Sequence, residues 1–282
     1  MNTVNQTFNW SRFTAALRKE VVENKRMLLF TVICIYGLLT LIMILGNVVA
    51  GLSPDSIDEA FSDRIPQIFV GSILSFVVCV SASMAFKNLT TKQGRAAYLT
   101  SPSSTLEKFL LNILIYIVGT VVVYFICAQL ADLTRIAALW FFRGDNFIVP
   151  GPINFLTSLM DVATTVEHPE IGMKGLGYTM ILGLIANAGL YLLGSVIWPR
   201  LSLLKTFAAI YAVEFALFIL IAPFFAFFGN MESFSRWVYE FMMNGNFSLS
   251  MIIVTCAEIV LFFGLAWYLF KRKDVISLKW WK

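Results

Sequence analysis

MLLFTVICIYGLLTLIMILGNVVA, residues Met27–Ala50, is the stretch on which the fold turns. It runs 24 residues without a charge, directly after Lys25 and Arg26. A helix rises about 1.5 Å per residue, so some 20 apolar residues cross the ~30 Å hydrocarbon core of a bilayer. Such a segment has to be helical in lipid, because no backbone N–H or C=O can be left unpaired there. A secretory leader has a shorter apolar run and a small-residue exit, and neither is found here before Pro54.

Five more stretches of similar character follow at 67–86, 107–130, 176–198, 203–228 and 247–270. The composition agrees: 59% of the 282 residues are hydrophobic and 13% are charged, against about 25% charged in a soluble chain. The sequence therefore predicts an all-α polytopic membrane protein, one transmembrane domain over residues 1–282 with six transmembrane helices.

The basic residues orient it. Placing the N-terminus in the cytoplasm puts 16 of the 21 lysines and arginines on the inner side, leaving Arg64, Arg135, Arg143, Lys174 and Arg236 outside. Cytoplasmic loops carry such an excess, so both the N-terminus and the C-terminus are expected to be cytoplasmic. The net charge of +4 is accounted for by this placement, and no nucleic-acid partner is expected.

Four segments lie outside the spans. Residues 8–26 alternate Phe8, Phe13, Leu17 and Val21 with Arg12, Arg18, Lys19, Glu20 and Glu23, the pattern of an amphipathic helix lying in the headgroup plane. The second inner segment, Lys87 to Phe109, is polar and basic. Ser104 and Glu107 stand three apart before an apolar run, as in a capping box. Gly94 and Pro102 are expected to break any helix there, leaving a short piece around Arg95–Leu99. Residues 131–175 form a long external connection, with the apolar stretch Ile153–Val166 too short to span. The tail ends the last span with Lys271, Arg272 and Lys273 and closes on Trp280 and Trp281.

Glu214 and Glu258 fall near the middles of the fifth and sixth stretches, with no lysine or arginine at similar depth. An ionised carboxylate at the bilayer centre costs at least about 2.5 kcal/mol. Each is expected to be protonated, hydrogen-bonded within the bundle with Asn187 or Tyr211 as candidate partners, or facing a hydrated cavity. Glycines Gly37, Gly46, Gly183, Gly189 and Gly194 permit close helix approach.

No catalytic set, metal site or cofactor site is readable. His168 is the single histidine, and Cys34, Cys79, Cys127 and Cys256 sit in four different apolar runs as packing residues. The chain has no GxxxxGK[ST] phosphate loop and is not expected to hydrolyse ATP or to be an enzyme.

Two local features carry a family resemblance. One is FNWSRFTAALRKEVVENKRMLL, leading straight into the first span. The other is YLTSPSSTLEKFL, Tyr98–Leu110, in which Leu99-Thr100-Ser101-Pro102-Ser103-Ser104 is followed by Glu107-Lys108-Phe109. With the six-span layout, the whole chain resembles a permease subunit of the ABC-2 type of ABC transporter, as found in the Bacteroides group. Members have a similar leucine–proline–alanine–serine stretch before a glutamate–lysine–phenylalanine.

The resemblance implies an exporter driven by a separate ATP-binding subunit, with a second permease half that is a second copy or a related chain. It implies a coupling region at about 86–99 that docks on the ATPase, with Lys87, Lys92, Arg95, Tyr98, Glu107 and Lys108 as the residues concerned. It also implies residence in the inner membrane of a Gram-negative bacterium. Two other functions compete: an ion-coupled secondary transporter using Glu214 and Glu258, and a non-transporting membrane scaffold or sensor subunit.

Overall fold

The computed structural model describes residues 8–52, 59–143, 176–228 and 246–273, with Phe155, Arg236 and Glu240 as isolated positions. Helices fill these segments apart from short turns, and no strand occurs among the described residues. Six of the helical segments are long and apolar enough to cross a membrane. The sequence expectation of an all-α, six-span membrane protein holds. The chain divides into two compact units, residues 1–81 with 102–160, and residues 82–101 with 161–282.

The first unit opens with α1, Trp10–Glu23, the expected amphipathic helix. Asn9 caps it: the side-chain oxygen accepts from the Ser11 amide at 3.0 Å and the Ser11 hydroxyl at 2.8 Å. Only Phe13 is buried on α1, and it stacks with Trp10 at 5.9 Å. Asn24 ends the helix, its amide bonding the Glu20 carbonyl and carboxylate. The first spanning helix, α2 (Lys25–Leu52), begins at the next residue. One residue thus separates the interfacial helix from the span.

The second span, α3, runs Glu59–Met84 and starts earlier than the apolar pattern implies. The third is one unbroken helical run: α5 (Thr105–Ile113), a π-turn at Leu114–Gly119, and α6 (Thr120–Arg143). The short helix α4 (Lys92–Leu99) lies between the second and third spans. Leu39 and Met43 of α2, Val78 of α3, and Tyr124 and Ala128 of α6 are fully enclosed and make the core of this unit. Polar groups inside it find partners across helices. The Ser81 and Thr120 hydroxyls lie 2.6 Å apart, and the Tyr124 hydroxyl donates to the Val70 carbonyl.

The helix does not end at Leu130 but runs to Arg143, so the first thirteen residues of the expected connection at 131–175 are helical. Asp132 and Arg135 lie one turn apart inside α6 with 2.7 Å between Oδ1 and Nε, both fully enclosed. Pairing at i,i+3 neutralises the two charges locally, so the helix has no reason to stop. The stretch Ile153–Val166 lies outside the described residues, Phe155 excepted, as do His168, Trp280 and Trp281.

In the second unit α7 (Leu176–Ile197) is central and packs on both α8 (Ser202–Phe228) and α9 (Asn246–Lys271). Glycine decides how closely. A methyl at Gly189 would meet the Phe263 ring at 2.7 Å, and one at Gly194 would overlap the Thr206 side chain. Gly37, Gly46 and Gly183 have open space instead, so they do not serve the close approach expected of them. Pro199 sits in the tight turn joining α7 to α8, where Leu201 takes a left-handed φ of 57°. Helix α8 continues through Pro223.

Candidate functional site

In the first unit the site is a carboxylate clamp. Ser104 caps α5: its hydroxyl accepts from the Glu107 amide at 3.2 Å, while Glu107 Oε2 accepts from the Ser104 amide at 2.8 Å. The capping box expected from the sequence is therefore present. The same carboxylate reaches across to α1. Oε1 accepts from the Asn9 amide at 2.8 Å and from Arg12 Nη2 at 2.7 Å, and Oε2 accepts from Arg12 Nε at 2.8 Å. Glu107 is fully enclosed, whereas the Arg12 side chain keeps 30% exposure. The hydrogen bonds it donates to Glu107 hold the Arg12 guanidinium above its ordinary pKa. Glu107 thus joins the interfacial helix to the start of the third span, bridging 95 residues of sequence.

Lys108, the next residue, is buried with it. Both side chains turn inward, so neither offers a surface for the partner contact that the resemblance implies. Glu107 acts instead through Arg12 and Asn9.

The second unit holds the segment between the second and third spans. A 3-10 turn at Lys87–Leu89 leads into α4, Lys92–Leu99. Thr91 caps α4, its hydroxyl accepting from the Gly94 amide at 3.1 Å. Gly94 does not break the helix as expected; it lies in its first turn. A side chain there would meet the Asn88 carbonyl at 2.6 Å, so the glycine is what lets the 3-10 turn fold onto α4. Lys87 and Lys92 are exposed, while Arg95 and Tyr98 are half-buried.

Tyr98 and Phe86 close on Phe270 near the end of α9, with ring centroids 6.4 and 4.8 Å apart. This sets α4 against the Lys271–Lys273 cluster. Arg95 donates to the Leu89 carbonyl at 3.3 Å, and its Nε is enclosed without a partner. The Lys273 ammonium is pushed below its ordinary range, first by burial and then by the like charge of Arg95. Thr90 reaches Pro199 O at 3.4 Å, tying the segment to the α7–α8 turn.

Neither the protein-family models, the curated proteins nor the solved structures contain a match to this chain.

Glu214 and Glu258 both lie exposed on their helices. No hydrogen bond or ion pair to either occurs among the described residues, and neither Asn187 nor Tyr211 bonds them. Tyr211 packs on Phe207 instead, at 4.5 Å. The expected bonding within the bundle is absent among the described residues. No cluster of metal-ligating side chains occurs among them either.

Sequence reasoning singled out Glu107 for its cap but missed Arg12 as its partner, since nothing local links residues so far apart. It also missed the Asp132–Arg135 pair. The signal was available there: opposite charges three apart in an otherwise apolar run.

Proposed function

We propose that this chain is the transmembrane permease subunit of an ABC transporter of the ABC-2 type, an exporter driven by a separate ATP-binding subunit. It would reside in the inner membrane of a Gram-negative bacterium. The observation that carries the reading is the Glu107 clamp. An interfacial helix entering the first span is bolted to the cap of the third, so a displacement of one is transmitted to the other. Helix α4, short, capped and basic, supplies a compact element of the kind a nucleotide-driven partner pushes on. Its exposed Lys87 and Lys92, with Arg95 and Tyr98 behind them, are the contact residues on this reading. ATP binding and hydrolysis belong to the partner, and the chain acts by favouring one conformation over another as that partner closes.

The exposed Glu214 and Glu258 fit a second permease half better than a proton relay. A relay needs groups that hand protons on inside the bundle, whereas these side chains point away from it. An uncovered carboxylate in hydrocarbon is costly, so the outward faces of α8 and α9 are where a second copy or a related chain would sit.

The test is purification of the native complex in mild detergent with mass spectrometry of what remains bound. A stoichiometric ATPase subunit is expected, lost when Lys92–Leu99 is replaced by a flexible polar stretch of equal length. A chain that stays free of any ATPase across several gentle detergents would overturn the reading and return ion-coupled transport through Glu214 and Glu258 to first place.

A further inference from the structure

The inner side of the second unit carries eight lysines and arginines and no carboxylate among its described residues. Within that face two cations share one aromatic anchor. Helix α4 docks on the end of α9 through Phe86, Tyr98 and Phe270. Arg95 stands one turn before Tyr98 on α4, and Lys273 stands three residues after Phe270, its amide bonded to the Phe270 carbonyl at 3.0 Å. Packing of the aromatic groups therefore sets the positions of both charges.

Arg95 Nε is enclosed with no acceptor, although arginine nitrogens removed from water are normally hydrogen-bonded. Arg272 is occupied elsewhere, stacked over Tyr268 at 4.3 Å, so it does not compete for the space between Arg95 and Lys273. Two like charges set by one aromatic anchor, one with a sheltered and empty donor, form the cationic half of an incomplete contact. The missing half is an anion with more than one acceptor oxygen.

We propose that Arg95 and Lys273 form a binding site for the phosphate group of an anionic phospholipid of the inner leaflet. The location selects lipid over a soluble anion. Lys271 is the last residue of α9, and the site follows it directly, beside the aromatic residues Tyr98, Tyr268 and Phe270. That is the headgroup level, where aromatic residues concentrate and basic residues meet anionic lipid. Arginine suits the task because its planar fork presents parallel donors to phosphate. The depressed pKa of Lys273 agrees, since a bound phosphate would restore what burial and Arg95 take away. This site does not depend on the permease reading: it predicts lipid retention whether or not an ATPase is present.

The test uses the full chain in detergent. Acylation of lysines by a water-soluble, amine-reactive activated ester is followed peptide by peptide after adding phosphatidylglycerol, phosphatidylcholine or inorganic phosphate. Phosphatidylglycerol is expected to slow modification of Lys273 well beyond that of Lys205, with no such effect from phosphatidylcholine or phosphate. Native mass spectrometry gives the second readout. Lys273→Gln lowers the retained phosphatidylglycerol about fivefold, and Lys205→Gln leaves it unchanged.

Arg95 also holds the Leu89 carbonyl, so Arg95→Lys, which keeps the charge, accompanies Arg95→Gln. Retention is expected to fall further in the glutamine variant than in the lysine one. Equal protection by inorganic phosphate would make this a site for a soluble anion and overturn the lipid assignment. Equal protection of Lys205, or retention untouched by Lys273→Gln, would reduce the effect to diffuse attraction and overturn the site. So would loss of ATPase capture in Lys273→Gln with lipid retention intact, since the cations would then serve an acidic protein surface.

Discussion

At Glu107 one carboxylate does two structural jobs, and they separate by mutation. The cap is local. Removing the Ser104 hydroxyl leaves the Glu107 amide without its acceptor, and Ser104→Ala is expected to cost about 1 kcal/mol. Glu107→Ala removes the acceptor for the Ser104 and Asn9 amides and for the Arg12 guanidinium together, so its cost is expected to exceed that of Ser104→Ala clearly. In the Glu107→Ala background Arg12→Ala is expected to add almost nothing, because residues sharing one interaction are not additive. Thermal unfolding of these three variants and of Arg12→Ala alone, in detergent, measures this. A Glu107→Ala chain no less stable than Ser104→Ala would mean that α1 is not held by the clamp. The cap itself was legible in the sequence, since Ser104 and Glu107 announce it by spacing. The reach to Arg12 was not, because ion pairs between distant segments leave no periodic trace. The Asp132–Arg135 pair is hidden for the opposite reason: the apolar pattern stops at Leu130, while the helix carries on by neutralising the two charges one turn apart.

Among the elements, contacts between helices turn on side-chain volume more than on composition. The spans were readable because each is a sustained apolar run, and their ends were less so because helix continues beyond hydrocarbon wherever polar groups are paired. The glycines show the limit of pattern reading. Five of them were equivalent by sequence, yet only Gly189 and Gly194 face a neighbouring helix at close range. Gly194 of α7 lies against Thr206 of α8, so a methyl group there has to push the helices apart. Gly194→Ala is expected to destabilise by about 1–3 kcal/mol, the usual cost of overpacking. Gly183→Ala, in the same helix with open space around it, is expected to be neutral or to gain up to about 1 kcal/mol from helix propensity. Unfolding midpoints of the two variants, compared side by side, check the packing of α7 against α8. Equal effects would argue that this approach is not as close as described. Gly94 belongs with the same lesson. It was expected to interrupt a helix, and it instead makes room for the Asn88 carbonyl at the start of one.

For the whole molecule, the six spans and the asymmetry of basic residues make a single prediction about sidedness. Residues 144–175 are expected on the outer side, and the α7–α8 turn with Arg200 and Lys205 on the inner side. The apolar stretch Ile153–Val166 is what puts this at risk, because a seventh crossing there would invert everything after it. Its 14 residues fall short of the roughly 20 that a helix needs to span, and Asp161 within it adds the cost of a charge in hydrocarbon. Inversion would also move Arg200, Lys205 and the Lys271–Lys273 cluster outward, against the bias set by every earlier loop. Reporter fusions in a bacterial host decide the matter. Alkaline phosphatase joined after Arg143 is expected to be active, and joined after Arg200 inactive, while green fluorescent protein at the C-terminus is expected to fluoresce. Active phosphatase after Arg200 would establish a crossing between 144 and 175 and place the Arg95 segment and Lys273 on opposite sides of the bilayer. That outcome would contradict the packing of Tyr98 and Phe86 on Phe270. Those ring contacts bring the segment after the second span and the end of the sixth to one face, so the fold and the charge distribution stand or fall on the same experiment.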